Sequence, residues 1–435
     1  MKNPYDENRR RYGPGAHRAL GVLFLVALVN YVDRALLSVL QVPIKAELGL
    51  SDAELGALTG LSFALFYAAA AIPLSRLIDR YHRIWIITGC LILWTSMTAL
   101  TSLAWGFVSL IVLRIGVAIG EAGSVPGTHS LLSDYYPRER RGTVFSIWAF
   151  ASPVGVMIGL AAGGLLSEQL GWRNSFLLIG LGGFLLVPLL LALKEPRRGG
   201  LEEASAAPAA ADIPFMQGLA AVWGNRTLRL LVLGTTLHAF SYMTIMNWTP
   251  PLLSRSFDMP LGEVAIWAGL LFGVGGGIGA LSGGTIVDML ARRHARWYGL
   301  APCFAIGAVV PISLIQYWAS STMIALVSGF LSIMFAAFYI APVNALAQSM
   351  VSPRMRGFMA AILLVFPTIF GTGAGPFVTG VISDLLLPTW GEAGALKLAM
   401  SFSLAGSIGA AIVFFRLSRT VSADLTAMSV STPGR

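Results

Sequence analysis

Runs of about 20 apolar residues recur along this chain, each long enough to cross the hydrocarbon core of a bilayer as a helix. Twelve can be drawn, six at 19–40, 55–75, 84–104, 107–131, 143–166 and 174–193, and six at 230–250, 264–287, 297–317, 322–347, 357–383 and 398–415. Lipid offers no partner to a free backbone N–H or C=O, so a spanning chain is either helical or a closed barrel. The barrel signature, short segments alternating polar and apolar residues, is absent. The sequence therefore predicts an all-α membrane protein with twelve transmembrane helices. Composition agrees: 56% of residues are hydrophobic and 12% charged, against roughly 25% charged in soluble chains. A soluble enzyme and a disordered chain are both excluded.

The net charge of +9 reads as topology. Of the 30 Lys and Arg, Arg34 and Arg114 fall inside spans, and Lys45, Arg173, Arg255 and Lys397 lie on the side opposite the N-terminus. All the others share the side of the N-terminus. The positive-inside rule then places both termini in the cytoplasm. Basic residues spread over alternate loops give no nucleic-acid-binding face. The first apolar stretch has no small-residue cleavage pattern and is expected to remain as the first span. Cys90 and Cys303 cannot build a disulfide framework or a metal site, and no metal is expected.

The segment 194–229 is the longest polar interruption and reads as a cytoplasmic linker. It divides the chain into a six-helix bundle at 1–193 and a second at 230–435 with a short tail. The halves repeat. Asp79, Arg80 and Arg83 follow span two as Asp288, Arg292 and Arg293 end span eight. Pro137, Arg138 and Arg141 with Gly142 follow span four as Pro353, Arg354, Arg356 and Gly357 follow span ten. A carboxylate at a helix end can accept from Arg or from a neighbouring helix N-terminus. These residues are therefore candidates for a cytoplasmic latch of a rocking two-bundle machine.

Four charged residues fall inside spans: Asp33, Arg34, Arg114 and Glu121. Each costs at least about 2.5 kcal/mol to insert, so intramembrane charge is a functional hypothesis by default. Asp33 and Arg34 are consecutive and point about 100° apart. Arg114 and Glu121 are two turns apart on one face. They can approach each other, or each can face a partner on span one. Desolvation favours the neutral carboxyl, and a nearby Arg opposes that. Asp33 and Glu121 are thus assigned as proton carriers, with Arg34 and Arg114 as charge partners or anchors for an anionic substrate. Weaker cavity candidates are Asn30 and Tyr31 in span one, His238, Tyr242, Asn247 and Trp248 in span seven, and Tyr339 and Asn344 in span ten. The spans hold two histidines, His129 and His238, with no nucleophile–base or metal-ligand pattern, so an enzyme is not expected.

The whole chain resembles a major facilitator superfamily transporter. The Asp79 and Asp288 loops are similar to that superfamily's motif A, with Ser75, His82 and Ile84 departing from it in the first copy, and Met289 and Ala291 in the second. Ser152-Pro153-x-Gly155 and Gly375-Pro376 partly resemble its motif C. Within the superfamily, Asn30-Tyr31-Val32-Asp33-Arg34, Ser51-Asp52-Ala53-Glu54-Leu55-Gly56 and Arg114-Ile115-Gly116 through Gly120-Glu121-Ala122-Gly123 resemble the Spinster branch. Gly171-Trp172-Arg173 and Lys194-Glu195-Pro196 resemble its bacterial members. The organic-anion symporters share the span-one and span-four patterns.

The resemblance implies a proton-driven secondary transporter of amphipathic lipids, such as lysophospholipids or sphingoid phosphates, working by alternating access. It also implies roles for the span-one Asp and the span-four Arg and Glu. The alternative substrate is a small organic anion or a drug-like amphiphile. The expected setting is the inner membrane of a bacterium. The expected partners are the substrate and the lipid bilayer, with a monomeric chain and no cofactor beyond the proton gradient.

Overall fold

The computed structural model describes residues 15–199, 215–352 and 355–430, and among these every regular element is helical. Ten helices match predicted spans one to ten: Ala16–Leu48, Asp52–Arg80, Arg83–Leu103, Phe107–Tyr135, Glu139–Leu170, Trp172–Leu191, Arg226–Phe257, Leu261–Ala291, Trp297–Tyr317 and Thr322–Ser349. The eleventh, Arg356–Leu417, runs 62 residues and contains both remaining predicted spans. A straight helix of that length would reach about 90 Å, some three hydrocarbon thicknesses. Its backbone leaves helical geometry at Gly391 (φ 65°, ψ 175°), a left-handed position that suits glycine.

Several helices outrun their apolar runs. The first has 33 residues and stops at Gly49 in left-handed geometry (φ 63°), whose N–H bonds to the Lys45 carbonyl. The connection 194–229 is not all coil either. Phe215–Gly224 is helical, with Gly218 against Phe358 and Trp223 on Phe366 at 5.3 Å. Apolar residues at the end of that segment suffice for a short helix, although its average composition is polar.

The chain forms two compact units: Met1–Leu50, Ser62–Pro208 and Leu261–Gly269, and Ser51–Leu61, Ala209–Pro260 and Leu270–Arg435. They follow the six-plus-six division except at two places. The first turns of span two belong to the second unit, and the first turns of span eight to the first. At each crossing the helix passes through a π-helical stretch, Ala57–Leu61 and Leu270–Gly275.

In the first unit, spans three and four meet along a row of glycines. A Cβ on Gly116, Gly120 or Gly127 would lie 2.7 Å from Met97, from the Trp94 backbone N or from Ile87. Arg114 and Glu121 sit off that row, on the far side of the helix, so the close approach to span three turns both charges away from it. Because backbone lies against Gly120, replacing it with Ala is expected to cost about 1–3 kcal/mol through overpacking. Thermal unfolding of the detergent-purified Gly120→Ala protein checks this, with a lower midpoint than the wild type expected.

Candidate functional site: a buried charge quartet

The four intramembrane charges meet in the first unit and pair crosswise between spans one and four. Arg34 donates from Nε to Glu121 Oε2 at 2.6 Å. An Arg114 guanidinium nitrogen lies 3.9 Å from Asp33 Oδ2, an ion pair longer than a hydrogen bond. Thr98 on span three donates to Asp33 Oδ1 at 2.8 Å. Asp33, Arg114 and Glu121 are buried, whereas the Arg34 side chain keeps 29% of its surface exposed.

Aromatic rings hold the two cations. Arg34 lies over Phe63 at 4.7 Å, Tyr67 at 4.9 Å and Tyr31 at 5.7 Å, and Arg114 lies over the same Phe63 ring at 4.8 Å. Phe63 stacks on Tyr67 in turn. A guanidinium over a desolvated ring gains about 2 kcal/mol, which offsets part of the cost of burying it. Asp33 Oδ2, Glu121 Oε1, Arg114 Nε and Asn30 Nδ2 are buried with no hydrogen-bond partner among the described groups. Two acceptors and two donors are thus left over at one place, beside the partly exposed Arg34. Chemically, this arrangement can exchange a proton on either carboxyl and bind an anion at either guanidinium.

The candidate latch residues of the first half divide by burial. Arg83 is buried and donates to Asp134, to Glu195 (2.8 Å), to the Ser130 hydroxyl (3.1 Å) and to the Pro196 carbonyl (2.9 Å). Arg141 donates to the Ser133 and Tyr136 carbonyls. Asp79 and Arg80 are exposed. The end of the span-two helix is instead capped by Arg198, which donates to the carbonyls of Ile78, Asp79 and Tyr81. The Arg138 side chain and Arg354 lie outside the described residues. In the second half Asp288, Arg292, Arg293 and Arg356 are exposed.

Burial raises the Glu195 carboxyl, but hydrogen bonds from Arg83, with the charges of His82 and Arg83, outweigh it. The group is held below its ordinary value. His82 Nδ1 lies 2.6 Å from the Glu195 carboxylate.

The second unit assembles a polar node from span seven. His238 is fully buried, with Nε2 2.9 Å from the Ala336 carbonyl and Nδ1 3.1 Å from Ser407 Oγ. Tyr339 meets its ring edge-on at 4.7 Å, and Tyr242 stacks at 6.2 Å. Trp248 is also fully buried and donates to the Pro376 carbonyl at 3.1 Å. Tyr242 and Asn247 keep partial exposure, Tyr339 is buried, and Asn344 is exposed with its amide on the Ile340 carbonyl.

Thr98, Phe63 and Tyr67 were not legible as site residues. Threonines in this chain's helices commonly bond their own backbone, as Thr88 and Thr95 do, and aromatic residues in a span read as core. The aromatic spacing four apart at Phe63 and Tyr67, opposite an intramembrane Arg, is the one signal that could have found them.

The model of the Major Facilitator Superfamily matches residues 23–376, and the chain belongs to that superfamily. It is 34% identical over 407 residues to an MFS-type efflux pump of Mycolicibacterium smegmatis, covering 92% of each chain. It is 27% identical over 404 residues to protein spinster homolog 1 of Mus musculus, covering 88% of this chain and 76% of the relative. The fold superposes on the crystal structure of a bacterial homolog of the human lysosomal transporter Spinster, in an inward-facing and unoccupied conformation. The TM-score is 0.87 and the identity 26%, over 95% of this chain and 98% of the other. The protein is an integral membrane transporter with a close likeness to Spinster proteins.

Two outcomes are expected from this geometry. Arg34→Lys keeps the charge but loses the planar stack on Phe63 and Tyr67. Transport by this variant in proteoliposomes should fall about tenfold at unchanged expression. Because Glu195 is held below its ordinary value, its contribution to stability is present at neutral pH. It is lost as the pH falls through the lowered range. Between about pH 5 and pH 3, the thermal midpoint of Glu195→Gln should therefore fall less steeply than that of the wild type.

Proposed function

We propose that the protein is a proton-coupled secondary transporter that moves an amphipathic, lipid-like anion by alternating access. The candidate substrates are lysophospholipids and sphingoid phosphates. The observation that carries this reading is the crosswise quartet, in which the single partly exposed charge, Arg34, is also the partner of the fully buried Glu121. An anion that engages Arg34 competes with Glu121 for the guanidinium. A buried carboxylate that loses its cation is strongly disfavoured, and protonation relieves it. Asp33 and Arg114 form a looser pair alongside, so a proton can pass to either carboxyl as the guanidiniums reorient. The aromatic rings of Tyr31, Phe63 and Tyr67 would receive the apolar part of the ligand near its charge.

In this reading Arg356–Leu417 crosses the membrane twice, with its turn at Gly391, which gives twelve spans. Both termini then face the cytoplasm, as the basic loops require. The chain acts as a monomer in the inner membrane of a bacterium, driven by the proton gradient and needing no cofactor. Tyr242, Asn247, Tyr339 and Asn344 are the second half's candidate substrate contacts. Asp79, Asp288 and the basic residues after spans two, four, eight and ten act as the cytoplasmic latch.

A second reading, export of a small organic anion or a drug-like amphiphile, is favoured by the 34% identity to an efflux pump. The same quartet serves it, with only the tail of the substrate changed.

Uptake of a lysophospholipid into sealed proteoliposomes under an imposed pH gradient tests the proposal. The wild type should show saturable uptake that collapses with the gradient, and Asp33→Asn and Glu121→Gln should each lose at least about tenfold of the gradient-driven rate. If both variants keep wild-type rate and coupling, the assignment is wrong.

A further inference from the structure

Span seven is stitched to two helices that are broken beside it, all within the second unit. In the twelfth predicted span one helix ends at Ser403 and the next begins at Ala405. In span ten the helix ends at Ala337 and resumes at Ile340. Backbone groups at helix ends lack partners within their own helix. The Ser407 N–H and the Ser403 carbonyl, four residues apart, would pair in an unbroken helix. The Ser241 hydroxyl stands between them instead. It accepts from the Ser407 N–H at 2.9 Å and donates to the Ser403 carbonyl at 2.6 Å. A side chain inserted into the helix ladder in this way causes a kink. Gly406 makes room for it, since a Cβ there would lie 2.7 Å from Ser241 Oγ and 2.6 Å from the Leu237 carbonyl oxygen.

His238, three residues before Ser241, joins both breaks. Its Nε2 meets the Ala336 carbonyl, in the last turn before the span-ten break, and its Nδ1 meets the Ser407 hydroxyl. A carbonyl can only accept, so Nε2 carries a proton, and in the neutral ring Nδ1 accepts from Ser407. His238, Ser241 and Ser407 are fully buried, and each of their side-chain polar atoms is hydrogen-bonded. A fully satisfied buried network is rigid. Two rings pack on it: Tyr242, one turn along span seven, and Tyr339, in the span-ten break itself. Neither phenol hydroxyl has a hydrogen-bond partner among the described residues. The predicted spans of this half hold no Asp, Glu, Lys or Arg, so a contact made from them is neutral.

We propose that His238, Ser241 and Ser407 are positioning residues for substrate recognition. They hold Tyr242 and Tyr339 as a pair of neutral contacts for uncharged hydrogen-bonding groups of the substrate, such as its hydroxyl and ester oxygens. The inference rests on the transporter reading and on these two tyrosines as substrate contacts. Contacts that are fixed beforehand bind more tightly, because less side-chain freedom is lost on binding. Without the Ser241 hydroxyl, Ser407 and Ser403 can close their own backbone bond. Closing it moves the Ser407 side chain relative to His238 and loosens both rings.

The test joins a transport measurement to one that needs no substrate. In gradient-driven uptake of a lysophospholipid, Ser241→Ala and His238→Leu should each raise the half-saturating concentration about tenfold rather than lower the maximal rate. His238→Gln, which keeps a donor and an acceptor on one side chain, should lose less than His238→Leu. In a Tyr242→Phe, Tyr339→Phe background, Ser241→Ala should add nothing, because the contacts through which it acts are gone. An unchanged half-saturation in Ser241→Ala, or the same rise in both backgrounds, would overturn the proposal. The second measurement is fluorine NMR of the purified protein carrying 3-fluorotyrosine, with signals assigned by Tyr→Phe substitution. Ser241→Ala should shift or broaden the Tyr242 and Tyr339 signals and leave that of Tyr135, in the first unit, as it is, which a misfolded variant would not do. Unchanged Tyr242 and Tyr339 signals would also overturn the proposal. Signals that respond as stated while no lysophospholipid is taken up would leave the positioning network standing and remove only the substrate reading.

Discussion

Four charges buried among apolar helices are the constraint on which the first unit depends. No single one of them is tolerable there alone, because an isolated buried ion costs several kcal/mol. Their arrangement answers that cost piece by piece. Arg34 and Glu121 neutralise each other, Thr98 serves one oxygen of Asp33, and the Phe63 ring lies against both guanidiniums. The answer is incomplete, since a donor or acceptor is left over on Asp33, Arg114 and Glu121. Incompleteness is a poor property in structural glue and a useful one in a site that must hand a proton from one state to another.

That constraint reaches down to the glycines of span four. Because Gly120 meets the span-three backbone and Gly116 and Gly127 meet its Met97 and Ile87 side chains, the charged face of the helix points away from span three. The sequence pattern left two arrangements open for Arg114 and Glu121, mutual pairing or separate partners on span one. The structure has the second, and close packing on the opposite face is the reason.

What could be read beforehand followed the size of the physical signal. Apolar runs of bilayer length exposed ten helices nearly one for one, and the cost of intramembrane charge singled out the four residues that meet. Smaller signals were lost. A threonine hydroxyl, an aromatic four residues from another, and a carboxylate at the last turn of a span look ordinary in a membrane helix. Asp52 was legible only as part of the Ser51–Gly56 motif and Arg255 only as a charge on the side opposite the N-terminus, although their side chains pair at 2.8 Å. The helix Phe215–Gly224 was hidden by the polar average of its surroundings. The motif put Asp79, Arg80 and Arg83 on one footing, whereas Arg83 alone of the three is buried and fully bonded.

The central claim is that anion binding and proton binding meet at Arg34 and Glu121. Its most direct measurement is the proton exchange that accompanies binding of a lysophospholipid to the purified protein in weakly buffered detergent, followed with a pH-sensitive dye. Binding that draws Arg34 away from Glu121 should be accompanied by proton uptake, and that uptake should vanish in Glu121→Gln while binding persists. Binding with no proton exchange in the wild type, or the same exchange in Glu121→Gln, would contradict the account.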